Sequence, residues 1–234
     1  MSTYKTKAII LSSYPYREHD RIITFYSDKF GRMEARARGV KKITSKLAGH
    51  LEPFIETELL LANGRTWDIL AGSRTIYSRE KIRFCLEAIS IALVCSEAIK
   101  QISKPLSSDE RVFHLLSNLF DKLEKSQYES KSMIASFLWD LLAISGFKAE
   151  LSQCIHCKTQ VFSGSFSAEG GGILCENCKT RDMRSIDIDE ETCGQLKSHK
   201  IESKLGQNIA REFWLKIVDN RPISSLYFFE SLNI

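Results

Sequence analysis

Arg32-Met-Glu-Ala-Arg-Ala-Arg38 alternates charged residues with small or apolar ones at a period of two, the repeat of a β-strand rather than of a helix. Side chains at i, i+2 and i+4 share one face of a strand. Arg32, Arg36 and Arg38 therefore line one face together with Glu34, while Met33, Ala35 and Ala37 line the other. The apolar face is expected to pack inward and the arginine face to meet solvent or a ligand. The turn signal Asp28-Lys-Phe-Gly31 precedes this strand, and the basic loop Gly39-Val-Lys-Lys-Ile-Thr-Ser-Lys46 follows it.

Similar short runs lie on both sides. Lys5–Leu11 and Arg21–Ser27 come before; Phe54–Leu61, Thr66–Leu70 and Ser73–Ser78 come after, with the hairpin dipeptide Asn63-Gly64 between the first two of these. Five or six strands at this spacing predict a small antiparallel barrel or sandwich over residues 1–80. From about Glu80 the period becomes helical. Ile82, Leu86, Ile89, Leu93 and Ile99 form one stripe, up to a break at Lys104-Pro105. Ser107-Ser-Asp-Glu110 reads as a capping box ahead of a second stripe, Val112 to Leu123. Further helices are expected over Lys131–Ser145, Asp189–Lys200 and Gln207–Asp219. The expectation is an α+β chain, with a helical second domain over residues 81–234.

Within that domain stand Cys154-Ile-His-Cys157 and Cys175-Glu-Asn-Cys178, separated by seventeen residues. Two Cys-x2-Cys turns each aim two thiolates at one point, and together they complete a tetrahedron. The spacing predicts a structural Zn2+ held by Cys154, Cys157, Cys175 and Cys178 in a module at about 152–182, with no coordination position left for catalysis. His156, inside the first turn, is the weaker candidate ligand. Cys85, Cys95 and Cys193 stand singly in helical patterns and read as small core residues.

The net charge of +4 is unevenly spread. Residues 1–81 carry 15 basic and 9 acidic side chains, whereas the remainder carries 18 and 20. Lys29, Arg32, Arg36, Arg38, Lys41, Lys42 and Lys46 fall in one short segment with only Glu34 among them, and a concentration of one sign favours phosphate contact. No apolar run reaches the roughly 18 residues of a membrane span. An odd cysteine count argues against a secreted disulfide framework, so a cytoplasmic location is expected. Catalytic patterns are missing: no GxSxG elbow, no Walker lysine and no His-x-Glu paired with Pro-Cys-x-x-Cys occur. His19-Asp20 between Arg17 and Arg21 reads as a solvated turn, and no enzyme is expected.

Several blocks, in order along nearly the whole chain, resemble the RecO family of bacterial recombination and repair mediators. They are Tyr4–Leu11, Tyr16–Ser27, Phe30–Lys42, Leu47–Phe54, Cys154–Cys157, Phe166–Cys175 and Ser224–Phe229. The resemblance implies a five-stranded OB-fold barrel followed by a helical domain with an embedded zinc module. It also implies binding of single- and double-stranded DNA, annealing of complementary strands and assistance to loading of the recombinase RecA on strands coated by single-strand-binding protein. The implied partners are RecR and the acidic C-terminal tail of the single-strand-binding protein, and the implied setting is the nucleoid. Arg32, Arg36, Arg38, Lys41, Lys42 and Lys46 are the expected phosphate contacts, with Arg17, Arg21 and Arg74 beside them; Tyr14, Tyr16 and Tyr26 are candidates for base stacking. The rival reading is an RNA-binding or ribosome-associated adaptor, since a barrel plus a zinc ribbon suits either polymer.

Overall fold

The computed structural model describes residues 2–43, 45, 47–126 and 129–232. Strands β1 (Thr3–Tyr16), β2 (Asp20–Ser27), β3 (Gly31–Ala37), β4 (Glu56–Ala62) and β5 (Asp68–Tyr77) close into a barrel in the order β1-β2-β3-β5-β4, an OB-fold arrangement. β1 serves two neighbours: Thr3–Ile9 pairs with β4 and Ala8–Tyr16 with β2. A register shift between Ile10 and Ser12 lets the long strand bend from one to the other. All ladders are antiparallel except the closing one, where β3 meets β5 in parallel through Ala35 opposite Asp68 and Arg36 opposite Ile69.

The inner face follows the period-two reading. Ala35 and Ala37 are buried beside Ala8, Ile10, Ile23, Phe25, Leu59, Leu61 and Leu70, with Met33 packed against them and Glu34 facing solvent. Alanine suits β3 because opposite walls of so narrow a barrel leave little room for larger groups. The loop after β3 is anchored at its start. Val40 is buried in the barrel core, and the Lys41 N–H donates to the His19 carbonyl at 3.0 Å. Thr66–Leu70 and Ser73–Ser78 are not separate strands; β5 runs through both, and Thr66 and Trp67 belong to the connecting loop 63–67. A Cβ on Gly64 would stand 2.0 Å from the Trp67 carbonyl oxygen, so only glycine permits the fold-back of this loop.

By Cα proximity the chain forms two compact units, Met1–Gln127 with Phe228–Asn233, and Tyr128–Tyr227. The first thus holds the barrel and three helices, α1 (Glu80–Phe84), α2 (Leu86–Ile102) and α3 (Glu110–Glu124). The stripe expected to run unbroken from Ile82 to Ile99 is split at Cys85, whose backbone is extended. The cap of α3 is Asp109 and not Ser107: its carboxylate accepts the Arg111 N–H at 2.9 Å, and the Ser107 carbonyl packs against Gly31 so closely that a Cβ there would lie 2.1 Å away. Arg79 links helices to barrel. Its Nη2 donates to Glu56 Oε2 at 3.0 Å and Ser117 Oγ at 2.8 Å, and its Nε donates to Asp121 Oδ1 at 2.9 Å. The Phe54 and Phe120 rings meet edge to face at 5.4 Å.

The second unit contains α4 (Ser130–Ile144), a three-stranded sheet of β6 (Gly164–Ser167), β7 (Gly172–Leu174) and β8 (Ile186–Ile188) in the order β7-β6-β8, then α5 (Glu190–Ser198) and α6 (Lys204–Ile217). Asp189 and Ser203 cap the last two helices. Trp139, Phe166 and Phe213, from α4, β6 and α6, stack mutually at 5.6–5.9 Å and tie sheet to helices. A short helix, α7 (Ser224–Ser231), ends the described chain; no periodicity in its eight residues announced it. No helix among the described residues is long and apolar enough to cross a membrane.

Candidate nucleic-acid interface and metal centre

One rim of the barrel is organised by Asp20. Its Oδ2 accepts from Arg36 Nε at 2.8 Å and Nη2 at 2.6 Å, and its Oδ1 accepts the Gly39 N–H at 2.8 Å. The Gly39 amide holds the Asp20 carboxyl below the usual carboxylate range; burial opposes this, and Arg36 adds to it. Together with the Lys41–His19 backbone bond, these contacts tie the β1–β2 turn to the segment after β3. The exposed side chains of Arg17, Arg38, Lys41 and Lys42 are thereby carried on two adjoining pieces of backbone. Arg17 sits at a left-handed φ of 55° in the turn, with its guanidinium 5.4 Å from the Tyr16 ring centre.

The remaining expected contacts are placed differently. Arg36 is half-buried and committed to Asp20. Arg32 stands toward the other end of β3, where its Nη1 donates to the Lys100 carbonyl at 3.0 Å. Arg21 lies 3.6 Å from Glu52, and Arg74, well exposed on β5, lies 3.6 Å from Glu58. Lys46 lies outside the described residues. Glu34 interrupts the outer face of β3 and accepts from Trp67 Nε1 at 3.1 Å. Among the aromatics, Tyr26 is buried and its hydroxyl is bonded to the Asp109 backbone, so it cannot stack a base. Tyr14 is exposed; Tyr16 is half-buried and meets Trp67 edge to face at 5.2 Å. Trp67 and Arg65, both on loop 63–67, escaped the sequence reading, which places Trp67 in a strand over Thr66–Leu70 and Arg65 in the turn before it.

The four paired cysteines converge. Their sulfur atoms all lie within 4.8 Å of one another, and Cys157 and Cys175 are 3.5 Å apart. Zinc–sulfur bonds of about 2.3 Å in a tetrahedron require sulfurs about 3.8 Å apart, so the donor set fits such an ion. Each knuckle is a hydrogen-bonded turn: the Cys154 N–H donates to Thr159 O at 2.8 Å, and the Cys178 N–H to Cys175 O at 2.9 Å. The first is moored to β7 by the Ile155 N–H, which donates to Ile173 O at 2.9 Å.

Burial works to raise the Cys154 thiol, but backbone N–H groups of Cys157, Cys175 and His156 bring it down to about 6. Burial and the neighbouring thiols push Cys178 up to about 12. His156 Nδ1 lies 3.9 Å from Cys178 Sγ, beside the cluster and not in it. Cys95 and Cys193 are buried as expected. Cys85 is exposed instead, because the helix breaks there.

Comparison with known proteins covers both parts of the chain. Residues 1–79 match the family model "Recombination protein O N terminal" and residues 83–200 match "Recombination protein O C terminal". The chain is 35% identical over 182 residues to the DNA repair protein RecO of Dehalococcoides mccartyi, covering 77% of this chain and 72% of that one. It is 28% identical over 200 residues to the RecO of Desulforamulus reducens, covering 85% and 77%. With the RecO of Bifidobacterium animalis subsp. lactis the identity is 26% over 237 residues, 97% of this chain and 98% of the relative. A basic-rimmed OB barrel matched by one family model, and a four-cysteine helical part matched by its companion, have one conclusion: the chain belongs to the RecO family, and with it to DNA repair and recombination.

Proposed function

We propose that this protein binds single- and double-stranded DNA, anneals complementary strands and, with RecR, assists recombinase loading onto strands coated by single-strand-binding protein. The observation that carries this reading is the rim on which Arg17, Arg38, Lys41 and Lys42 are exposed on backbone pinned by Asp20. Annealing requires two phosphate chains to approach despite their repulsion. Cations held on rigid backbone lower that cost and release counterions as they bind, so affinity falls as salt rises. Four phosphate contacts on a single strand correspond to a log–log salt slope of about −3. Arg36 acts beneath this surface as the brace of the rim, while Arg21, Arg32 and Arg74 add positive field elsewhere on the barrel.

The acidic tail of the single-strand-binding protein needs an apolar floor and cations for its carboxylates. A cavity of about 570 Å3 in the second unit supports that part of the reading; Trp139, Leu196 and Phe213 line it together with Lys148 and Lys197, and Glu150 also borders it. Zn2+ on Cys154, Cys157, Cys175 and Cys178 would cross-link two loops around the small sheet; four thiolates leave it no open position, so its part is structural. The proposed activity makes and breaks no covalent bond.

The test replaces Arg38, Lys41 and Lys42 with Glu, leaving Arg36 in place to preserve the rim. Annealing of complementary oligonucleotides is expected to fall at least tenfold, and the salt slope to flatten by about 2. Unchanged annealing and slope in a folded variant would overturn the proposal. Stronger binding to RNA than to DNA of equal length, without annealing, would favour the adaptor reading.

A further inference from the structure

Tyr16 and Trp67 form an aromatic pair that contributes nothing to the barrel core. The buried cluster and the residues packed against it include neither ring. Both stand half-buried on the outer wall, where the end of β1 meets loop 63–67. Ring centres are 5.2 Å apart and the planes are inclined at 71°. A bulky indole left partly wet on a surface loop needs an explanation, because hiding its apolar surface from water would be favourable.

The indole is also held still. Its Nε1 donates to Glu34 Oε2 at 3.1 Å, which fixes the ring against β3. Its backbone is fixed on both sides. Asp68, the next residue, pairs with Ala35 in the barrel's closing ladder and accepts the Gly64 N–H at 3.1 Å. At the other end of the loop, the Asn63 N–H donates to Ser2 O at 3.2 Å. The close approach of Gly64 to the Trp67 carbonyl folds the loop back on itself. Glu34, at the centre of an otherwise basic strand face, thus acquires a reason: it orients a ring.

The surroundings are cationic. The guanidinium groups of Arg36 and Arg17 lie 5.2 and 5.4 Å from the Tyr16 ring centre, and Arg65 is exposed on the same loop as Trp67. Guanidinium groups already lie over the Tyr16 ring, and the partly exposed indole is the other aromatic surface of the pair. A flat ring of fixed orientation, flanked by groups that bind phosphate, matches one repeating chemistry: an unpaired base attached to a sugar-phosphate chain. Oligonucleotides characteristically lie across the β2–β3 face of such barrels, between the β1–β2 and β4–β5 loops. Arg17 and Trp67 stand on those two loops.

We infer that Trp67, positioned by Tyr16 and Glu34, is the platform on which an unpaired base of single-stranded DNA stacks. The site rests on the DNA-binding reading above and adds to it a contact with bases. Stacking on one aromatic ring discriminates little between bases, which suits a protein that must anneal any sequence. A paired duplex hides its base faces, so this contact favours single strands over double strands.

The experiment uses the full-length protein and two single-stranded probes of equal length and charge, oligo(dT) and an oligonucleotide of abasic sites. The native protein is expected to bind oligo(dT) about tenfold more tightly than the abasic strand. Trp67→Ala is expected to abolish that preference while keeping its affinity for the abasic strand and its salt slope. Trp67→Phe, which retains a ring, should keep part of it. Trp139 and Trp214 are only 4% and 1% exposed, so quenching of intrinsic tryptophan fluorescence by oligo(dT) reports Trp67 and should vanish in Trp67→Phe. Equal affinity of the native protein for both probes, or an undiminished preference in Trp67→Ala, overturns the stacking site and leaves the basic rim standing. Failure to bind either probe at low salt overturns both.

Discussion

Arg36 and Asp20 meet across the β2–β3 ladder in a two-pronged ion pair, with Arg36 Nε 2.8 Å and Nη2 2.6 Å from the same carboxylate oxygen, while the other oxygen receives the Gly39 amide at 2.8 Å. A positive side chain read from sequence as a DNA contact is thus half of an internal brace. Asp20→Asn removes the charge from this junction and is expected to destabilise the protein by about 2 kcal/mol. Urea unfolding at pH 7 measures this. Weakened DNA binding should accompany it, because the loop bearing Lys41 and Lys42 loses its anchor.

The same junction gives a pH dependence. The folded protein holds the Asp20 carboxyl below its ordinary value, chiefly through the Gly39 amide. A depressed carboxylate contributes stability that is complete above the unfolded-chain value, about 3.9, and is lost as pH falls through the folded value. The stability gap between native protein and Asp20→Asn should therefore be constant from pH 7 to pH 5 and narrow below pH 4. A gap that widened on acidification would contradict the assignment.

Arg79 is 2% exposed at its side chain and Glu56 8%, and among the described residues Arg79 Nη1 finds no hydrogen-bond partner. Arg79→Met strands a buried carboxylate beside the Ser117 hydroxyl and is expected to cost about 3–5 kcal/mol. Adding Glu56→Leu removes the stranded charge and should restore most of that loss. Chemical denaturation of the single and double variants distinguishes the two outcomes.

The four-cysteine cluster should hold about one zinc per purified chain, measured by elemental analysis. Cys154→Ser combined with Cys178→Ser is expected to abolish binding and lower the melting temperature by on the order of 5 °C or more, since metal affinity at such sites is folding energy. A metal-free protein with unchanged melting would refute the structural site.

What could be read beforehand was whatever local spacing encodes. The alternation in Arg32–Arg38 gave the strand and its inner face, and two Cys-x2-Cys turns gave the cluster whose sulfurs converge. Partnerships across the chain were not legible. Nothing near Arg36 announces that Asp20, sixteen positions earlier, takes its charge, nor does anything near Arg79 announce Asp121. Cys85 looked like core because the apolar stripe continues through it, yet the extended backbone there turns it outward. Trp67 was invisible because residues 66–70 read as a strand, and its partners Tyr16 and Glu34 lie on other strands.

The way the first helices are bolted to the barrel has a consequence for anyone who would express the barrel alone. A chain cut where the strands end, near residue 80, keeps Glu56 but loses Ser117 and Asp121, leaves Phe54 without Phe120, and deprives the Tyr26 hydroxyl of the Asp109 carbonyl. Such a fragment would be sticky and short-lived. The smallest autonomous piece is expected to extend past α3, so the barrel comes with its helices attached.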